Sequence, residues 1–216
     1  MPGALWIGTA GWSYPDWAGR FYPSPTPRGF RPLVYLADYF NCVEVNLTYY
    51  RVPDLRTVQG WVKQVESHPS FQFVCKLHQQ FTHAQEPWSR EQARAFLAPL
   101  SPLQDARRLG ALLVQLPWSA RFDDTTRDRL RRVATEFAGP SLVLEVRHGS
   151  WDHEEARAWI AEQGFRYANI DQPTLRDCLG PSAHALGDPG YVRLHGRNRA
   201  AWFAEDAGRD RRYDYH

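Results

Sequence analysis

Short aliphatic and β-branched runs alternate along the chain with stretches whose apolar positions recur every three or four residues. The first kind, at 5–9, 42–47, 71–78, 111–116, 142–147, 167–171 and 191–195, reads as seven strands. The second reads as amphipathic helices with start and stop signals. Asp152 with Glu155 three residues on predicts a capped helix whose stripe is Ala156, Trp159 and Ile160 and whose end is Gly164. Leu130, Val133 and Phe137 repeat the pattern before Gly139. Ser89 with Gln92 opens a third helix carrying Phe96, Leu97 and Leu100; Val58, Trp61, Val62 and Val65 mark a fourth; and 33–40 follows Pro32 as a first-turn proline requires.

Strand alternating with helix means βα units and a parallel sheet. First strand residues at 5 and 191 are six intervals apart, 31 residues per unit, which suits a βα repeat. A doubly wound sheet would carry a phosphate fingerprint after its first strand, but Gly8-Thr9-Ala10-Gly11-Trp12 lacks the third glycine and runs into Ser13, Tyr14 and Pro15. The expected fold is therefore α/β, a TIM-type (βα)8 barrel. Eight units at 31 residues need 248, so the eighth unit is expected to be missing from a chain of 216. With no linker-like composition shift, residues 1–216 are expected to form one barrel domain, truncated at the C-terminus.

Composition narrows the class. At 43% hydrophobic and 23% charged the chain reads as an ordinary globule. It has no apolar run of about 18 residues and no signal-peptide pattern after Met1, so the expected location is cytoplasmic. Cys42, Cys75 and Cys178 have no CxxC spacing and read as reduced, structural thiols. Of 26 basic residues only Lys63 and Lys76 are lysines; the rest are arginines, suited to bidentate contact with phosphate or carboxylate. Nine tryptophans in a chain that is 14% aromatic are the sharper anomaly.

Residues two apart on a strand share a face. Glu44 with Asn46, Lys76 with His78, Glu145 with Arg147, Asn169 with Asp171, and Arg193 with His195 close five strands as polar pairs, and Gln115 ends a sixth. Val43, Val45, Leu144, Val146, Ile170 and Leu194 would take the outer, helix-covered face. The pairs are thus expected to converge on the C-terminal mouth of the barrel, where barrel enzymes keep their chemistry. Burying Glu44, Lys76, Glu145, Arg147, Asp171 and Arg193 costs several kcal/mol per charge, so function is the better reason to keep them. Arg147, with no acidic neighbour of its own assigned, is expected to hold free donors. The loops add aromatics: Trp12, Tyr14 and Trp17; Tyr49 and Tyr50; Phe81 and Trp88; Trp118 and Phe122; Trp151; Trp202 and Phe203. Trp12 and Trp151 are the expected walls of the pocket. His68, His83, His148, His153, His184 and His216 read as loop, cap or terminal residues, and the Arg209–Arg212 cluster as a solvated loop.

Gly8-Thr9-Ala10-Gly11-Trp12, Tyr22-Pro23, Val43-Glu44-Val45-Asn46 with Thr48-Tyr49-Tyr50, Phe73-Val74-Cys75-Lys76, Gln115-Leu116-Pro117, Glu145-Val146-Arg147 with Ser150-Trp151, Arg193-Leu194-His195-Gly196-Arg197 and Tyr213-Asp214-Tyr215 together resemble the YecE-like family, domain of unknown function 72. The resemblance runs the full length. It implies a TIM-type barrel and a bacterial or archaeal origin, with no established activity. It also implies a kinship, by analogy only, with endonuclease IV-like barrels. Family members continue past the Tyr-Asp-Tyr block into an eighth strand ending in paired asparagines, whereas this chain stops at His216.

Two readings of different class fit these residues. In the first, the protein is an enzyme, a hydrolase or isomerase, acting on a phosphate- or sugar-bearing substrate. Trp12, Asn46, Lys76, His78, Gln115, Arg147, Trp151, Arg193 and Arg197 would bind substrate, and Glu145, Asp171 and His195 would be the general acids and bases. In the second, it is a noncatalytic module for a nucleotide or single-stranded nucleic acid. No organic cofactor motif is present and no metal ligand set is assigned. A divalent metal is left open, since His78, Glu145, Asp171 and His195 are competent ligands for a metal-dependent endonuclease IV-like phosphodiesterase, without HxH or HExxH spacing. No membrane partner is expected.

Overall fold

The structure, a computed structural model, describes residues 4–84, 86–175, 177–188, 190–202, 204, 208, 211 and 213–215. Phe203, Arg209, Arg212, His216 and the first three residues, all used above, lie outside the described residues. In chain order the elements are β1 (Gly8–Ala10), α1 (Pro32–Ala37), β2 (Cys42–Val45), α2 (Leu47–Tyr50), α3 (Leu55–Gln64), β3 (Gln72–Lys76), α4 (Gln79–Thr82), α5 (Arg90–Leu97), α6 (Ser101–Asp105), β4 (Leu109–Gln115), α7 (Asp124–Glu136), β5 (Leu142–Glu145), α8 (Glu154–Glu162), β6 (Arg166–Asp171) and β7 (Tyr191–Leu194). The strands join one seven-stranded sheet whose order follows the chain, β1 to β7. All seven expected strands are thus present, with shifted ends. Among the described residues no strand follows β7 and no helix is long and apolar enough to cross a membrane.

The chain divides into two compact units, Met1–Gln80 with Glu86–Leu112, and Phe81–Gln85 with Leu113–His216. In the first, β2 pairs in parallel with β1 (Thr9 beside Val43) and with β3 (Glu44 beside Val74). Val43, Val45, Phe73 and Cys75 are buried, as are Leu33, Leu36, Val58 and Leu103 from the helices packed with them. Asp54 caps α3 by accepting from Thr57 N at 2.7 Å, and Ser89 and Gln92 form the expected capping box at α5. β1 is shorter than the 5–9 run predicts: Asn41 takes Ile7 N on its side-chain oxygen and donates to the Leu5 carbonyl, leaving Leu5 and Ile7 exposed outside the ladder. The proline-bearing loop that follows is pinned by rings. Phe21 lies 5.4 Å from Trp17, Tyr35 and Tyr39 and 5.0 Å from Tyr22, and Tyr22 donates its hydroxyl to the Trp12 carbonyl.

In the second unit β5, β6 and β7 pair in parallel, with Leu144 beside Tyr167 and Ile170 beside Arg193. Asp123 caps α7 through Thr126 N. The cap of α8 is His153, whose Nδ1 accepts from Ala156 N, and not Asp152; Asp152 closes the preceding turn Gly149–Trp151 and turns its carboxylate to Arg157. Leu144, Val146 and Ile170 are buried as the alternation requires. Leu194 is the correction: it is 71% exposed, and Val192 65%, so this face of β7 is not covered as the alternation predicts.

Two glycines test this packing in opposite senses. Gly8 sits where β1 meets β2, and a Cβ there would overlap the Cys42 carbonyl; Gly8→Ala should lower Tm by several degrees. Gly60 lies inside α3 with open space around it, and Gly60→Ala should stabilise by about 0.5–1 kcal/mol in denaturant titration.

Candidate functional site

Every strand that carries a polar pair ends earlier than strict alternation predicts, except β6. β2 stops at Val45, and Asn46 already has helical φ −73° and ψ −21° as the cap of α2. β5 stops at Glu145 and β7 at Leu194, so Arg147 and His195 lie on the segments just beyond. The inner member of each pair is held by its ladder, while the outer one is set by the loop.

In the second unit these residues form one ionic cluster. Glu145, fully buried, receives Arg147 Nε at 2.5 Å on Oε1 and Arg193 Nη1 on Oε2. Arg193 also reaches Gln115 Oε1 at 3.4 Å. His195 Nε2 lies 3.3 Å from both guanidiniums and 3.5 Å from Glu145 Oε1. A guanidinium only donates, so Nε2 is assigned as the acceptor and the ring proton to Nδ1. Burial pulls the His195 pKa down, Glu145 opposes that, and the two arginines add to it; the net shift is below the ordinary 6.5, and the imidazole is neutral at pH 7. Burial would push the Glu145 carboxyl up, but Arg193, Arg147 and His195 prevail and hold it well below the ordinary 4.5.

This corrects one expectation. Arg147 does have a carboxylate of its own, because its Nε turns back over two residues onto Glu145. Glu145 is ionised at neutral pH, with both oxygens engaged by arginine. Asp171 is likewise engaged: Arg197 grips it with Nε and Nη2, both at 2.9 Å, so Arg197 is largely neutralised where it stands. Asn169 is structural, its Oδ1 accepting from His184 N at 2.7 Å and from Ser182 Oγ at 3.1 Å.

Trp151 is no pocket wall. It is fully buried, with its indole N–H donated to the Ala120 carbonyl at 3.0 Å and its ring 5.0 Å from Phe122 and 6.2 Å from Trp159. So large a ring, with a satisfied donor, is most stable packed between loop and helix. In its place Trp202 stands edge-on to His195, 6.4 Å between ring centroids.

The remaining candidates lie in the first unit. Asn46 Nδ2 donates to the Ala10 carbonyl at 3.2 Å, Lys76 Nζ sits 4.0 Å over the Tyr49 ring, and His78 Nε2 approaches the Tyr50 carbonyl at 3.3 Å. Trp12 is half-buried and packs edge-on against Trp61 at 5.7 Å. This unit also has an open groove of about 660 Å³ lined by Arg31, Tyr35, Asp38, Lys63 and Ser67. Asp38, His68 and Ser67 form a hydrogen-bonded chain there, at 3.0 and 3.1 Å. Sequence spacing carries no signal for it, since α1 and the end of α3 meet only in the fold. Among the described residues no three His, Cys, Asp or Glu gather as metal ligands, the nearest acids being held by arginine.

The chain matches the family described as "Protein of unknown function DUF72" over residues 6–216. It belongs to that family. It is 28% identical over 220 residues to UPF0759 protein YunF of Bacillus subtilis, covering 95% of this chain and 75% of that one. With UPF0759 protein YecE of Escherichia coli K12 it shares 32% over 173 residues, 79% of this chain but only 58% of that protein's length. Its fold is similar to the crystal structure of a DUF72 family protein from Thermotoga maritima, with TM-score 0.80 at 30% identity over 97% of this chain and 80% of that one. A DUF72 family protein from Enterococcus faecalis, 24% identical, has the same fold at TM-score 0.73 over 79% and 71% of the two chains.

The buried cluster sets the pH response of the DUF72 chain. Both His195 and Glu145 are shifted down on folding, so the unfolded chain binds more protons and stability falls on acidification. The loss should begin below about 6.5 from His195 and steepen below about 4.5 from Glu145, read as Tm against pH. Glu145→Ala, which takes the shared carboxylate from two half-buried guanidiniums, should cost about 3–5 kcal/mol and remove the lower step; an unchanged Tm would contradict the cluster.

Proposed function

We propose that the second unit binds an anionic group and that the DUF72 chain is an enzyme acting on a phosphate- or sugar-phosphate-bearing substrate, in hydrolysis or isomerisation. The observation that carries this is one buried carboxylate, Glu145, shared by two guanidiniums beside a neutral His195. Arg147 gives its Nε to Glu145, and the planar donors of its guanidinium suit a phosphate oxygen.

His195 gives the site its chemistry. An incoming dianion offsets the arginines that depress the imidazole, so its pKa rises and Nε2 can take a proton and pass it to a leaving oxygen. Glu145 then acts by orienting Arg147 and Arg193 and by holding charge. The Asp171–Arg197 pair flanks it as a second, balanced ion pair. The order of the sheet and the βα alternation support reading the fold as a TIM-type barrel domain lacking one βα unit, with this cluster at its C-terminal mouth. Three free thiols, Cys75 pushed up to about 12 by burial among them, fit a reducing cytoplasm.

Calorimetry with inorganic phosphate at low salt tests the site. Wild type should bind, more weakly as salt rises, and Arg147→Ala should bind about tenfold more weakly, the worth of a charge-assisted hydrogen bond. Near pH 6 binding should take up protons, seen as a heat that changes with buffer ionisation enthalpy, and His195→Gln should abolish that dependence. No binding by wild type would overturn the reading.

A further inference from the structure

The segment that ends the described chain is fastened beside the cluster by its backbone. Arg197 N and Asn198 N both donate to the Asp214 carbonyl, at 2.6 and 3.0 Å, and Asn198 Nδ2 donates to the Arg211 carbonyl at 2.9 Å. Gly196 has φ +81°, and a Cβ there would run into the Tyr213 backbone, so the approach is close and needs glycine. Two rings are thereby held in place without being buried: Tyr213 is 50% and Tyr215 47% exposed. Trp202 bridges Tyr213 to the cluster, its ring 6.4 Å from Tyr213 and 6.4 Å from His195, near perpendicular to both.

Trp202 and Tyr213 thus stand beside the imidazole and the arginines of the cluster. An aromatic platform next to arginines matches a ligand with a flat π-face and a phosphate one sugar apart. Resting on the anion site proposed above, we propose that the ligand is a nucleotide, its base stacked on the Trp202 face with Tyr213 edge-on beside it, and its phosphate at Arg147 and His195. The same unit occurs free or within a single strand, and stacking on rings accepts any base.

The test compares inorganic phosphate, ribose 5-phosphate, AMP and a single-stranded oligodeoxyadenylate by calorimetry and tryptophan quenching. In wild type AMP should bind about tenfold more tightly than ribose 5-phosphate, the usual worth of one stacked base. Trp202→Ala should bring AMP down to the ribose 5-phosphate level without moving phosphate, Trp202→Phe should restore most of the difference, and Tyr213→Ala should weaken AMP at unchanged Tm. AMP binding, with an oligonucleotide equal to it or tighter, supports the proposal either way, the ratio assigning the free nucleotide or the strand as source. Equal affinity for AMP and ribose 5-phosphate overturns the nucleotide while leaving the anion site standing. Trp202-dependent AMP binding with no affinity for phosphate supports the stack and removes the anion site; if no ligand binds, both fall.

Discussion

The second unit depends on how one buried carboxylate is shared. Glu145 ends β5 inside the protein, where an isolated anion would be far too costly, and it is tolerable only because Arg147 and Arg193 donate to both of its oxygens. That constraint reaches outward. It turns the chain after β5 so that Arg147 folds back over two residues, it fixes how far the Arg193 side chain of β7 extends, and it puts His195 between two donors, where it stays neutral. Parallel pairing of β6 with β7, Ile170 beside Arg193, supplies the rigid frame for these side chains.

Around that centre the polar residues sort by charge balance. Asp171 and Arg197 cancel as a bidentate pair, Asn169 is consumed in holding the 182–184 segment, and Gln115 steadies Arg193. What remains is Glu145 shared by two arginines beside a neutral imidazole. Its aromatic neighbour is supplied by the segment after β7, and the loop after β5 supplies none, because Trp151 is more stable packed under Phe122 than facing solvent.

The helices and strands were written in local signals: hydrophobic periodicity, the Ser89–Gln92 box, Pro32 at the first turn of α1, and glycines at helix ends. Such signals act within one element, which is why all seven strands and the main helices could be read from the chain. Where a local signal had two takers, as with Asp152 and His153 before α8, the choice fell to neighbours beyond its reach.

By itself the sequence determined the alternation of strand and helix, the parallel order that follows from it, and the concentration of charge at strand ends, since all three rest on periods of two, of three to four, and of about thirty residues. Only tertiary structure decided which charges meet. Arg193 lies 48 positions from Glu145, and Arg197 lies 26 from Asp171, and no spacing rule links either pair. Pairing of that kind depends on side-chain reach across neighbouring segments and on the cost of leaving a buried charge alone, quantities defined only once the backbone has brought the groups together.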